Sequence, residues 1–200
     1  MDHIERINQS LFLQINASLN TPSWVIQAAT IAADDFIFGI PLLLLVMWFW
    51  GGEKLRHVAM MAFCVCFISL GLNQLIGLAW QHPRPSMIGL GHTFIAHAMD
   101  SSFPSDHMTI FSALAVTFIF QRLFKLGIAL MLIGILVGWS RVFLGAHFPF
   151  DLLGAVGVTF LGYGIVVSLW QKAGATLMDF IESLYRKLFA LPINKGWVKY

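Results

Sequence analysis

Two polar stretches interrupt an otherwise apolar chain and hold most of the side chains able to do chemistry. Residues 82–109 read HPRPSMIGLGHTFIAHAMDSSFPSDHMT, and residues 140–154 read SRVFLGAHFPFDLLG. Arg84 and Arg141 each present a planar fork of donors that matches the oxygens of a phosphate. Ser105 follows Pro104 at an expected helix start, where a hydroxyl and free backbone N–H groups favour an anion. His107, two residues on, is placed to deliver a proton to a leaving oxygen. His147 and Asp151 are four residues apart. If Pro149 starts a helix, both lie near its first turn and face each other, and a carboxylate that fixes one imidazole nitrogen leaves the other free as a nucleophile. Zinc held by His107 and His147 is the competing reading. The spacing lacks a compact His/Cys ligand motif, and the arginines would repel a cation. A lone interfacial arginine commonly anchors to headgroups, but these two accompany several histidines and a serine.

Positioning these groups falls to elements that live in lipid. Of the 200 residues, 58% are hydrophobic and only 11% charged, and mean hydropathy is +0.77. A soluble domain is about 45–50% apolar and about 25% charged. Apolar runs fall at about 36–50, 58–80, 108–120, 126–143 and 152–170. The first extends back through 24–33, and the third begins near Pro104. An all-α polytopic bundle of five spans is expected, six being the alternative, in one membrane domain. Residues 8–22 suit an interfacial helix, and residues 171–200 a cytoplasmic tail with an amphipathic stretch near 177–191. The N-terminus shows no signal-peptide pattern, so insertion is assigned to the internal helices. Cys64 and Cys66 point to different sides of a helix and read as packing residues. The net charge of +2, without a dense basic stripe, argues against a nucleic-acid partner.

Charge also orients the bundle. Lys54, Arg56, Arg122, Lys125, Lys172, Arg186, Lys187, Lys195 and Lys199 fall on one side of a five-span arrangement, with only Arg6, Arg84 and Arg141 on the other. The positive-inside rule puts the larger group in the cytoplasm, so residues 81–103 and 144–150 are expected to face the periplasm or cell exterior.

The two stretches resemble the type 2 phosphatidic-acid phosphatase superfamily, which shares its core with the vanadium haloperoxidases. The family pattern is Lys-x6-Arg-Pro, Pro-Ser-Gly-His and Ser-Arg-x5-His-x3-Asp. Here the second motif is Pro104-Ser105-Asp106-His107, and the third is complete in Ser140, Arg141, His147 and Asp151. The first is half present as Arg84-Pro85, with Gly77 where the pattern has lysine; Gln81 or His82 is the candidate substitute. The resemblance covers roughly residues 73–165. It implies His147 as nucleophile, Asp151 as its orienting partner and His107 as acid and base. It assigns Arg84, Arg141, Ser105 and Ser140 to the phosphoryl group, and implies no metal or organic cofactor. Asp106 in place of glycine, the short chain and HPRP resemble the bacterial undecaprenyl-diphosphate phosphatases of the BcrC type. The implied reaction, at a bacterial inner membrane, returns undecaprenyl phosphate to cell-wall synthesis and is associated with bacitracin resistance.

Other readings compete with hydrolysis. A lipid phosphotransferase could use the same phosphohistidine. Phosphatidylglycerophosphate or phosphatidate could be the substrate, and a transporter could use the arginines for headgroups alone. His92, His97, Asp100, Ser101 and Ser102 read as a solvated loop, with gating as the alternative. Asp34 and Asp35 read as the outer mouth of the first span, and Asn73 and Gln74 as interhelical hydrogen-bonding groups; a role at the substrate site is the alternative for each pair.

Overall fold

The computed structural model describes residues 3–96 and 98–199; His97 lies outside the described residues. The described residues form a helical bundle of eight α-helices in chain order. These are α1 (His3–Ile15), α2 (Ser23–Thr30), α3 (Gly39–Trp50), α4 (Gly52–Ala79), α5 (Asp106–Phe120), α6 (Phe124–Phe143), α7 (Pro149–Leu188) and α8 (Ala190–Asn194). The all-helical membrane architecture expected from the apolar runs is the one observed.

Among the described residues, four helical stretches are long and apolar enough to cross a bilayer: Ser23–Trp50, Gly52–Ala79, Phe124–Phe143 and Pro149–Leu188. The remaining expected span, α5, has only 15 residues, about 22 Å at about 1.5 Å per residue. A hydrocarbon core is about 30 Å thick, so α5 is too short to cross unaided. Its surroundings explain the tolerance: α5 packs against α4, α6 and α7, and Thr109, Phe111, Ala113, Leu114, Thr117 and Phe118 are buried. Lipid is met instead by the bundle's rim, where Phe63, Phe67, Leu132, Ile135, Phe160 and Leu161 stay exposed. Close approach of α6 to α5 depends on Gly134, where a Cβ would sit 2.8 Å from the Cβ of Phe111.

The first span is not one regular helix. Residues Ile31–Asp35 form a π-turn and Phe36–Phe38 a single 3-10 turn between α2 and α3. Pro41, in the first turn of α3, offers no N–H to the Ile37 carbonyl and its ring crowds it, in keeping with the 3-10 turn there. Below the break α3 packs on α4; above it α2 and the π-turn pack on α6. Ala32 and Ala33, both buried, allow that close approach and bring Asp34 to α6.

Two expected boundaries shift. The N-terminal helix spans residues 3–15 rather than 8–22, and it is held by protein. Phe12 is fully buried against Phe148, Asn8 accepts from the Phe150 N–H at 3.0 Å, and Asn16 bonds the Phe143 carbonyl at 3.0 Å. The expected tail from residue 171 is continuous with α7, whose 40 residues run about 60 Å at about 1.5 Å each. Its far end docks on the start of α4. Arg56, buried, donates to the Trp48 carbonyl at 2.9 Å and the Lys199 carbonyl at 2.6 Å, and lies 4.6 Å over the Tyr185 ring.

Candidate active site

Chain breakers build the site. After α4 the chain turns extended at Trp80, and Pro83 and Pro85 bracket Arg84 so that no helix can continue. At the other strand of the site, Gly145 adopts φ +85°, and a Cβ there would meet the His92 carbonyl oxygen at 2.3 Å. That turn carries His147 back over the bundle. Pro149 then opens α7, and Asp151 sits in its first turn, accepting from the Phe148 N–H at 2.8 Å. Ser105 caps α5, its Oγ accepting from the Met108 N–H at 3.5 Å.

His147 is buried, and its two nitrogens have different neighbours. Nδ1 lies 2.9 Å from the Ser102 carbonyl and 3.3 Å from Asp151 Oδ2. A carbonyl only accepts, so Nδ1 carries the proton and Nε2 keeps its lone pair. Nε2 lies 3.3 Å from Nη1 of Arg84, which also donates to the Ala146 carbonyl at 2.9 Å. Burial first, then the Arg84 and Arg141 charges, push His147 well below the ordinary histidine range, so the imidazole is neutral near pH 7. A neutral, oriented imidazole beside a guanidinium is the arrangement a nitrogen nucleophile toward phosphorus needs.

His147 lies on the wall of a cavity of about 420 Å³. Arg84, His107, Asp106, Gln81, His82, Asn73 and Gln74 are among its lining residues, with Leu78, Met87 and Met99 supplying apolar surface. The structure therefore brings His147, His107 and Arg84 to one cavity. Ser105, Ser140, Arg141 and Asp151 are buried outside that lining. Arg141 donates through Nη1 to Asp34 at 2.7 Å, while its Nε and the Ser140 hydroxyl have no hydrogen-bond partner among the described residues.

Several neighbours escaped the sequence reading. Residues 100–102 are not a solvated loop throughout. Asp100, itself exposed, pairs with Nε and Nη2 of Arg84 at 2.9 and 2.8 Å. Ser102 is fully buried and donates to Asp151 Oδ2. The physical reason is tertiary: the segment is drawn inward by the Ser102 N–H bond to the His82 carbonyl at 2.8 Å. His92 does fall outside the cavity lining and is tied to Asn16 through its N–H at 2.7 Å. Asn73 both reaches across helices and lines the cavity, donating to Asp106 Oδ1 at 2.8 Å and Thr109 Oγ1 at 2.9 Å. His82 pairs with Glu5 at 3.3 Å and lies 4.0 Å from Asp151 Oδ1.

Arg84 and His147 on proline-bounded segments, His107 in the first turn of α5 and Arg141 in the last turn of α6 gather at one end of a helical bundle with several membrane-spanning stretches, the architecture of a multi-pass membrane protein. A sequence model of the PAP2 superfamily matches residues 53–175, and the chain belongs to that superfamily of membrane phosphatases. It is 37% identical over 196 residues to YbjG of Escherichia coli (strain K12), provisionally named an undecaprenyl-diphosphatase, across 98% of this chain and 99% of that one. It is 31% identical to the undecaprenyl-diphosphatase BcrC of Bacillus subtilis (strain 168), across 94% and 95% of the two chains. The fold is similar to the crystal structure of a transmembrane PAP2-type phosphatidylglycerolphosphate phosphatase from Bacillus subtilis, with TM-score 0.63 and 20% identity over 86% of this chain and 88% of that one.

Proposed function

We propose that this protein hydrolyses undecaprenyl diphosphate to undecaprenyl phosphate and phosphate through a phosphohistidine at His147. The observation that carries the reading is the placing of the imidazole: Nδ1 against the Ser102 carbonyl and Asp151, Nε2 beside Arg84, and His147 on the cavity wall. Nε2 attacks the terminal phosphorus, the bond to the bridging oxygen breaks, and His107 gives that oxygen its proton. Water then attacks the phosphohistidine, His107 takes back a proton, and phosphate leaves with His147 restored. Asp151 and the Ser102 carbonyl hold the imidazole's orientation throughout. Arg84 meets the transferring phosphoryl group first, and the unpartnered Nε of Arg141 and hydroxyl of Ser140 are further donors toward its charge. Ser105 opens the helix that presents His107. Residues 73–165 thus carry the chemistry.

The substrate follows from the relatives' names and from the cavity. Gly77 lies where the family pattern has lysine, and a Cβ there would sit 3.3 Å from Ser101, so that wall is closed by backbone and Ser101 rather than by a cation. A diphosphate expels a phosphate, a better leaving group than the alkoxide of a monoester, and so depends less on that cation. Gln81 and His82 offer polar contacts for its second phosphate, and Asp106 is held on the wall by Asn73. Side-by-side kinetics in one detergent are expected to give undecaprenyl diphosphate a kcat/KM at least about tenfold above phosphatidate or phosphatidylglycerophosphate, about 1.4 kcal/mol of transition-state discrimination. A tenfold preference the other way would overturn the substrate and leave the phosphohistidine untouched.

Orientation is inferred from charge: the nine basic residues lie in the cytoplasm of a bacterial inner membrane, with residues 171–200, and the cavity faces outward. Ser86, exposed on the loop at the cavity end, tests this. With Cys64 and Cys66 replaced by alanine, Ser86→Cys should be labelled by a membrane-impermeant thiol reagent in cells whose cytoplasmic membrane is intact. Labelling only after lysis would invert the topology.

A further inference from the structure

We propose that Ser102 is a positioning residue for the reaction, holding the His147–Asp151 pair in register through three hydrogen bonds from one buried side chain and its backbone. The inference rests on His147 being the nucleophile and extends that reading to a residue outside the three motifs.

Each bond has a distinct job. The Ser102 carbonyl accepts from His147 Nδ1 at 2.9 Å, closer than Asp151 Oδ2 at 3.3 Å. The carbonyl therefore shares with Asp151 the task of fixing the imidazole's tautomer. The Ser102 hydroxyl donates to that same Oδ2. Oδ2 also accepts from the Phe148 N–H at 2.8 Å, so two donors pin one carboxylate oxygen while it faces the histidine. The Ser102 N–H donates to the His82 carbonyl at 2.8 Å, which anchors the segment against the loop that carries Arg84. Ser102 is 0% exposed and does not line the cavity, so it can act on substrate only through His147 and Asp151.

The two parts of Ser102 respond differently to mutation. Ser102→Ala keeps the carbonyl and the N–H but removes the donor to Asp151. The buried Asp151 carboxyl then loses one of its donors and keeps the Phe148 N–H, so it is less firmly held against Nδ1. The transition state, in which positive charge develops on the imidazole, loses more than the bound substrate does.

The test is steady-state phosphate release from undecaprenyl diphosphate by full-length protein in detergent, with thermal unfolding in parallel. For Ser102→Ala the expected result is a kcat lower by about ten- to hundredfold with KM within about twofold. Ser102→Cys, a similar shape with a weaker donor, should fall between it and the wild type. A kcat within twofold of wild type for a folded Ser102→Ala protein, or a loss carried by KM alone, would overturn the proposal. If Ser102→Ala does not fold, Ser102→Cys decides: lowered kcat at unchanged KM supports positioning, and unchanged kcat rejects it. A His147→Ala control separates the two inferences. Turnover by that control removes the nucleophile beneath the proposal; an inactive control with unaffected Ser102 variants removes the Ser102 role alone.

Discussion

A His147→Ala protein is expected to release phosphate at least about 10⁴-fold more slowly than wild type, because losing a covalent nucleophile removes a reaction path and not merely a contact. His147 lines the cavity, with Nδ1 against the Ser102 carbonyl and Asp151 and Nε2 beside Arg84. His107 lines the same cavity but belongs to the first turn of α5, on another element. His147 is buried, so truncation also leaves a cavity beside Asp151. His147→Gln keeps more of the volume and should be equally inactive. Thermal unfolding beside the rate separates lost chemistry from lost fold. Substantial turnover by either folded variant would remove His147 from the mechanism.

The second large effect belongs to Arg84. Its guanidinium divides its donors: Nε and Nη2 to Asp100, Nη1 to the Ala146 carbonyl and toward His147 Nε2. That division holds a positive charge beside the nitrogen where the phosphoryl group arrives. Arg84→Ala should lower kcat/KM by about 10²–10³-fold, the range for loss of one preorganised donor to developing charge. Arg84→Lys should recover only a small part, because one ammonium cannot serve Asp100 and the His147 side together. The check is phosphate release with both variants at matched protein stability. Activity within tenfold of wild type for Arg84→Ala would show that Arg141 alone suffices.

Spacing made part of this site legible. A histidine four residues before an aspartate across a proline reads as one helix start, and α7 begins at Pro149 with Asp151 in its first turn. The Pro104-Ser105 pair likewise marked the start of α5. Ser102, Asp100 and Asp34 were not legible, because each acts through a partner distant in sequence. Ser102 meets Asp151 across 49 positions and Asp34 meets Arg141 across 107, and no local period encodes either. Asp34 further sits in the π-turn Ile31–Asp35, a register change that hydropathy alone does not report. The apolar runs located the helices well, but not the continuity of α7 past the bilayer. Helix propensity carries straight through residues 171–188, and the docking of Lys199 and Arg56 that secures that end is tertiary.

The central claim is a covalent phosphohistidine, and trapping it is the most direct measurement. Wild-type protein mixed with undecaprenyl diphosphate labelled in its terminal phosphate, and quenched in alkali within one turnover, should retain label on protein. The linkage should be stable to base and labile to acid, as a phosphoramidate is, and should map to the peptide containing His147. His147→Ala should carry none. Phosphate release by wild type with no protein-bound label at any quench time, or label on an acid-stable ester elsewhere in the chain, would contradict the account.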